Sequence, residues 1–434
     1  MQWRTGRILD NRIDVIPIRA RNTVLSGIFL GVVLSGVALL GVLKLGVVAA
    51  TPSAAGPPKA TIPHRALWPD PINSPAEFDR ASRAEILVFA HELADSDALN
   101  ERALKARLRV DAVDMPSVER LRHRLWKRLT DNYVLASGGC AADEAFCPAD
   151  SDPHRLQNEA KDFSSGQIQP RYQAWFEDAT KFQRSYLDEM LLLAAVFPQR
   201  NSEVETFNDN EVTGWDLHDR QFLLSFDDGP TPTLAREAPD AKNNAGNTDR
   251  TLEALRSHRL NGVFFTIGES FRERLSDTST AAMENLYAGM CVGSHGWEHQ
   301  SHATWPQWQQ SVASSSKLVH DTLPDDYVPA FRPPYGQRPP DSGTYLSGHG
   351  LKLILWNIDS HDWDDNLTVS DVEQRVMSLM LLWRHGLILF HDFFPRAQKV
   401  VPDLAAWLAH DGIAWADCHA VNGTTPRRVT SNQR

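Results

Sequence analysis

The stretch QFLLSFDDGP, Gln221 to Pro230, decides the fold. A short apolar run, Phe222 to Phe226, ends in two adjacent carboxylates, Asp227 and Asp228, followed at once by Gly229 and Pro230. An apolar run of this length closed by Gly-Pro punctuation reads as a buried strand entering a tight turn. Adjacent side chains at a strand end point in different directions, so one carboxylate can hold a cation while its neighbour handles a proton. Alone, a DDG sequence is more simply an Asp-capped turn. What the other runs carry decides between the two.

Working outward, six further apolar runs follow: Val263 to Ile267, Cys291 to Ser294, Tyr327 to Phe331, Leu351 to Ile358, Leu387 to Phe390 and Ile413 to Ala416. Helical spacing appears between them over Thr251 to His258, and over Val369 to Trp383 with Val372, Val376, Leu379 and Leu382 in register. Strands joined by helical crossovers predict an α/β fold with a parallel sheet. A distorted seven-stranded (β/α) barrel accounts for the run count, with an open doubly wound sheet as the alternative.

Five of the runs end in polar or ionisable residues. After Asp227 and Asp228 come His295-Gly-Trp-Glu-His299, Arg332-Pro-Pro-Tyr335-Gly336, Asp359-Ser-His-Asp362-Trp363 and Leu389-Phe390-His391. Parallel β/α folds place ligands and catalysis at the carboxyl ends of their strands. Histidines at i and i+4 share a helical face, and with a carboxylate from another strand they make a two-His, one-Asp metal site with open positions. Such a set suits zinc, with cobalt, manganese, nickel or iron also able to fit. Non-haem iron oxygenases use similar ligands, but the acid and base residues here suit hydrolysis better. His302, His361, His385 and His419 read as surface or packing residues, since three ligands are already present.

Residues from about 220 to 420 resemble the NodB-homology domain of polysaccharide deacetylases, carbohydrate esterase family four. SFDDGP is similar to the family's TFDDG, HGWEH to HSxxH, RPPYG to RxPYG, DSHDW to DxxDW, and the LFH ending in His391 to LxH; GVFFTIG also resembles the family's ATFFVxG strand. The resemblance implies Asp227 as general base, Asp228, His295 and His299 as metal ligands, and Arg332 as the group orienting Asp227. It implies Tyr335 as a backbone donor to the oxyanion, and His391 as general acid positioned by Asp362 and Trp363. The implied reaction is metal-dependent removal of N-acetyl groups from an N-acetylglucosamine-containing polysaccharide, such as peptidoglycan, a chitin-like chain or an exopolysaccharide. Alternatives with the same residues are an O-acetyl glycan esterase, a small-amide hydrolase, or a non-catalytic glycan-binding membrane protein. Three departures stand out. Gly296 replaces the usual Ser or Thr, Trp297 takes a variable position, and the polar segment Thr233 to Asn247 is longer than usual and is expected to shape the groove.

The remainder of the chain sets the context. It has 434 residues, 44 Lys and Arg against 55 Asp and Glu, and a formal charge of -11, which argues against nucleic acid as a partner. Thr23 to Leu43 is uncharged, mostly apolar and long enough to span a bilayer, and Arg4, Arg7, Arg12, Arg19 and Arg21 precede it. The positive-inside rule predicts a cytoplasmic N-terminus (1–22), a transmembrane anchor within 23–49, and a periplasmic or extracellular remainder. A signal peptide cleaved near Val47-Val48-Ala49 is the rival reading, and would leave the protein secreted. A Pro/Ala-rich linker (50–73) leads to a helical accessory domain (74–205), then the deacetylase-like domain (206–422) and a tail (423–434). Ser74, Pro75 and Glu77 form a capping-box signal for the first helix.

The helical domain carries no catalytic constellation and is a candidate surface for a protein partner. Its stripes Leu121, Leu125, Leu129 and Tyr172, Trp175, Phe176, Ala179, Phe182, Tyr186 read as core. Cys140 and Cys147 flank a short loop and are expected to pair in an oxidising compartment. Cys291 and Cys418, on strands far apart in order, are not.

Overall fold

A computed structural model of the chain describes residues 60, 62, 65–140, 146–148, 155–196, 206–207, 211–233, 246–407 and 412–422. The apolar run 23–43 and most of the segment 233–247 lie outside them. Among the described residues, no helix is long and apolar enough to cross a membrane.

Among the described residues, nine parallel strands form the sheet: β1 (Glu211–Val212), β2 (Gln221–Asp227), β3 (Val263–Thr266), β4 (Cys291–Ser294), β5 (Tyr327–Phe331), β6 (Lys352–Ile354), β7 (Ile358–Asp359), β8 (Gly386–His391) and β9 (Ala414–Trp415). They run in the order β1-β6-β5-β4-β3-β2-β8-β7, with β9 paired to β2 below β3. The expected helical crossovers are present as α6 (Asn247–Ser257) and α11 (Val369–Trp383). They are joined by α7 (Gly268–Asp277), α8 (Thr280–Tyr287), α9 (Trp308–Thr322), α10 (Ser342–Gly348) and α12 (Ala397–Trp407). Ahead of the sheet lie α1 (Pro75–Asp97), α2 (Glu101–Leu108), α3 (Met115–Ser137), α4 (Leu156–Asp162) and α5 (Gln173–Val196).

The expected count of seven strands is corrected in two places. β1 is too short to carry a periodic signal. The run Leu351 to Ile358 is two strands: β6 pairs with β5 and β1, whereas β7 pairs with β8 at the other end of the path. Only Leu355, Trp356 and Asn357 separate them, a reach of at most about 14 Å. In a flat sheet, six strand spacings would hold β6 and β7 about 29 Å apart. The sheet is therefore curled into a barrel. It remains open as a hydrogen-bonded ladder, since its path ends on β1 and β7.

Asn357 seals that seam. Its backbone N–H donates to Leu387 O (3.3 Å), its side-chain oxygen accepts from Leu387 N (2.8 Å), and its Nδ2 donates to His385 O (3.2 Å). Gly214 (φ +91°) approaches so closely that a Cβ would lie 2.5 Å from Asn357 Oδ1.

The helices α1 to α5 pack on the barrel through α11, and one continuous set of buried side chains runs through both. Trp383, fully buried at the end of α11, meets Phe89 (5.7 Å between centroids) and donates through Nε1 to Tyr186 OH (3.1 Å). At the start of α1, Ser74 caps Glu77 N as expected, but the Glu77 carboxylate reaches back to Asn73 N (2.8 Å).

Cys140 and Cys147 are bonded, as expected. So are Cys291 and Cys418, against expectation, with Cα atoms 5.9 Å apart. Because β9 pairs with β2 below β3, the chain after β9 passes under β3 and reaches the start of β4. Cys418 N donates to Asn261 Oδ1 (3.0 Å) on the way.

Asn357→Ala removes two side-chain hydrogen bonds at a buried seam and strands Leu387 N. We expect a loss of about 2 to 3 kcal/mol in chemical denaturation. A change within experimental error would mean that the seam is held by packing alone.

Candidate active site

The carboxyl ends of β2, β4, β5, β7 and β8 meet at one mouth. Asp227 and His391 are Cα partners across the β2–β8 ladder, and Ser294 opposes Phe331 across β4–β5. The residues following each strand therefore converge, although they are up to about 160 positions apart in sequence.

Asp227 is buried and receives Arg332 Nη1 on Oδ1 (2.7 Å). Arg332 has no exposure to water. It also donates to Ser225 Oγ (2.9 Å), Ile354 O (3.2 Å) and Leu355 O (2.9 Å), so its charge is met by one carboxylate and three neutral oxygens. Burial lowers its pKa and Asp227 opposes that shift.

Asp228 turns the other way because its backbone is left-handed, at φ +76°. Its Oδ1 is buried without a hydrogen-bond partner, 3.4 Å from His295 Nε2 and 3.3 Å from His299 Nε2. His295 Nδ1 lies 2.8 Å from the Arg332 carbonyl, which can only accept, so the proton sits on Nδ1 and the Nε2 lone pair faces Asp228. Burial pushes His299 below its ordinary range although Asp228 opposes it, favouring the neutral ring that coordinates metals. Burial alone would raise Asp228, but in the absence of a cation His299 and His295 when protonated, with His391 behind, hold it well below the ordinary carboxylate range. An orphaned carboxylate oxygen facing two imidazole lone pairs fits a divalent cation. Side-chain exposure rises from 2% at His295 to 18% at Asp228 and 32% at His299, so the site opens on the His299 side.

Across the mouth, Asp362 is fully buried. It accepts from His391 Nδ1 on Oδ1 (2.8 Å) and from His391 N on Oδ2 (2.9 Å). Burial would lower the His391 pKa, but the charge and hydrogen bond of Asp362, with Asp228 and Asp227 behind, push it up to about 10. Tyr335 (φ +60°) stands half exposed with its ring edge-on to His299 (4.5 Å). Trp363 lies against His361 (5.0 Å), and Phe394 lies 6.0 Å from His391.

Gly296 in place of a hydroxyl residue has a local answer. A Cβ there would lie 2.7 Å from His302 Cε1 and 3.0 Å from Ser311 Oγ. Ser311, on α9, accepts from Trp297 N (2.7 Å), and its hydroxyl lies 3.2 Å from His302 Nε2. His302 Nδ1 donates to Gln300 O (2.8 Å), which leaves Nε2 to accept from Ser311. Burial, reinforced by His295 and His299, lowers His302 to about 4 although the Gln300 bond opposes it, so the ring stays neutral. A serine from another element thus ties the histidine loop. His302 is a packing residue, as expected, with this added duty. Trp297 lies on Gly268, where a Cβ would come within 2.6 Å, and under the Arg272 guanidinium (4.9 Å).

Sequence reasoning also passed over Asp392. Its carboxylate is buried against Gly229, and burial with the charges of Asp228 and Asp227 pushes it up to about 7 although Thr248 and His391 oppose the shift. The signal available was its place directly after His391. His361 reaches Arg375 Nη2 (3.3 Å), His385 lies against Trp215, and His419 is exposed beside Asp417.

Residues 216–354 match the family described as polysaccharide deacetylase. A peptidoglycan-N-acetylglucosamine deacetylase of Listeria monocytogenes is 28% identical over 148 residues, 33% of this chain and 27% of that protein. Chitin deacetylase 1 of Saccharomyces cerevisiae is 24% identical over 221 residues, 45% of this chain and 61% of that protein. Both matches thus span less than two thirds of the relative's own length. The structure of a family 4 carbohydrate esterase from Streptomyces lividans in complex with acetate is 25% identical and covers 44% of this chain and 88% of that one, with a TM-score of 0.35.

Two measurements test the site. Ser311→Ala strands Trp297 N in the loop between His295 and His299 and is expected to weaken zinc binding by about ten-fold, the low end of the effect of losing a supporting group; an unchanged zinc affinity would remove Ser311 from the metal loop. In the metal-free protein, a titration of His391 by NMR should show the proton retained through neutral pH and lost as pH rises towards about 10, with Asp362→Asn lowering the midpoint. A wild-type midpoint at or below the ordinary 6.5 would contradict the pairing.

Proposed function

We propose that this chain is a metal-dependent polysaccharide N-deacetylase. It hydrolyses the acetamide of N-acetylglucosamine units in a glycan polymer to acetate and a free amino sugar. One observation carries the reading: Asp228 Oδ1 faces His295 and His299 while Asp227, next in sequence, is held separately by Arg332. A cation-holding carboxylate beside an independently anchored one provides a metal site and a base in a single turn. The names of the relatives, on peptidoglycan and on chitin, support an acetylated glycan as the substrate class.

Asp228, His295 and His299 would hold a divalent ion, for which zinc is well suited, and it would supply Lewis acidity to the acetyl carbonyl and to water. With Oδ1 fixed by Arg332, Asp227 keeps Oδ2 to take the proton of the attacking water. The backbone N–H of Tyr335 donates to the oxygen of the tetrahedral carbon. His391 gives its proton to the departing nitrogen, so that the C–N bond breaks to a neutral amine rather than an amide anion. Asp362 keeps the ring oriented and stabilises its charge before transfer. Trp363, Tyr335 and Phe394 offer ring faces at the mouth for a sugar.

The organisation that accompanies this reading is an anchor within residues 23–49, a tether over 50–73, the helical segment 74–205 and a catalytic barrel over 206–422 on the periplasmic or extracellular side. The positive charges before the apolar run support it.

Acetate release from N-acetylated chitooligosaccharides and from peptidoglycan, with and without chelator, tests the proposal. Asp228→Asn is expected to lose the metal and the activity together. Asp227→Asn should retain bound zinc and lose about 10² to 10⁴ in kcat, the range for a general base. Chelator-insensitive release, or wild-type turnover by Asp227→Asn, would sink the mechanism.

A further inference from the structure

The helical segment reaches the catalytic loop through one buried ion pair. Arg375, on α11, is buried, and its guanidinium serves chain segments outside its own helix. Nη2 donates to Glu189 Oε2 on α5 (3.0 Å) and lies 3.3 Å from His361 Nε2; Nε donates to Asp359 O (2.8 Å); Nη1 donates to Ala60 O (3.3 Å). Glu189 closes the group, accepting from Ala60 N on Oε1 (2.5 Å).

The loop that Arg375 grips is the one that holds the proton donor. Asp359 Oδ1 accepts from His361 N (2.9 Å), and His361 adopts a left-handed backbone (φ +56°), a conformation that neighbours must hold in a non-glycine residue. Ser360 Oγ then donates to Asp362 Oδ1 (3.1 Å), the oxygen that receives His391 Nδ1–H. On the other flank, Arg396 Nη1 donates to Asp362 O (2.9 Å). Two arginines therefore clamp residues 359–364. Arg396 belongs to the barrel alone, whereas Arg375 is neutralised from outside it by Glu189.

We propose that Glu189 and Arg375 are positioning residues through which the helical segment fixes Asp362 and the His391 ring, making that segment a working part of the active site. The proposal rests on the deacetylase reading for the role of His391. Its physical basis is that a buried guanidinium needs a buried counter-charge. Without Glu189, the Asp359 carboxylate, which already feels the charge of Arg375, attracts the guanidinium more strongly, and a guanidinium drawn there gives up Asp359 O and His361. A displacement of about 1 Å in a proton donor can cost on the order of 10² in rate.

The test uses the full chain loaded with zinc. Glu189→Gln keeps the shape and removes the charge; we expect kcat to fall by about 10 to 10² with KM within about two-fold and zinc affinity unchanged. Asn132→Ala, in the same helix–barrel seam but bonded to Leu382 O and Trp383 O, serves as the control. It should lower the melting temperature without lowering kcat. A Glu189→Gln enzyme with wild-type kcat overturns the proposal, as does a kcat loss equal in both variants at matched melting temperatures. The His391 Nδ1 proton, observed by NMR without substrate, gives a reading independent of turnover. Its resonance or exchange rate should change in Glu189→Gln, and an unaltered signal overturns the proposal. Should the wild type release no acetate from any N-acetylated glycan, the functional reading fails instead, while the NMR result still decides whether Glu189 sets the ring.

Discussion

A guanidinium sealed from water holds this barrel and its mouth together. Arg332 leaves the end of β5 and crosses the interior to Asp227 and Ser225 on β2 and to the carbonyls of Ile354 and Leu355, where the run after α10 breaks into two strands. Its own carbonyl receives His295 Nδ1–H. One residue thus anchors one carboxylate of the aspartate pair, orients a candidate ligand and occupies the carbonyls at the broken strand. Removing one partner of such a buried pair typically costs about 3 to 5 kcal/mol, because the other charge stays behind without compensation. The arrangement is expensive to assemble, and that expense separates Asp227 from Asp228, two neighbours that an unstructured chain would treat alike.

The helical segment answers a second constraint. The last turns of α11, Ser378 to Trp383, are buried on every side. A helix apolar all round cannot face solvent, so something must cover it. The cover is α1, α3 and α5, with Phe89 and Tyr186 packed on Trp383 and Asn132 satisfying the carbonyls of Leu382 and Trp383. Hydrophobic burial is non-directional and would accept many docking registers. The polar links at the seam, Glu189 to Arg375 and Asp79 to Arg384, supply the directionality.

Much of the barrel was legible because buried parallel strands are short continuous apolar runs, and all seven runs read from the chain contain strands. What misled was continuity. Leu351 to Ile358 looks like one strand because pattern reports burial, and Leu355, Trp356 and Asn357 are as buried as the strands they connect. The hydrogen bonds of Leu355 and Asn357 go to Val212, Arg332, His385 and Leu387, partners that no local window contains. The bond between Cys291 and Cys418 escapes a reading of the sequence for the same reason, since distance in strand order is not distance in space once β9 tucks under β3.

At the site, side-chain chemistry was readable and support was not. The places of Asp227, Asp228, His295, His299, Arg332, Asp362 and His391 at strand ends follow from residue type and spacing, and the resemblance to a known family implied the separate role of each. Ser311, Asp392 and Arg375 carry no such mark: a serine in a helix, an aspartate beside a histidine and an arginine among apolar neighbours are common. Their roles come from burial, which turns an ordinary hydrogen bond or charge into one that must be satisfied where it stands. The sequence by itself determined which groups face the mouth of the barrel. Only the tertiary structure decided how they are held, because the holding is done by atoms brought together across up to about three hundred residues of chain, in a space that water has left.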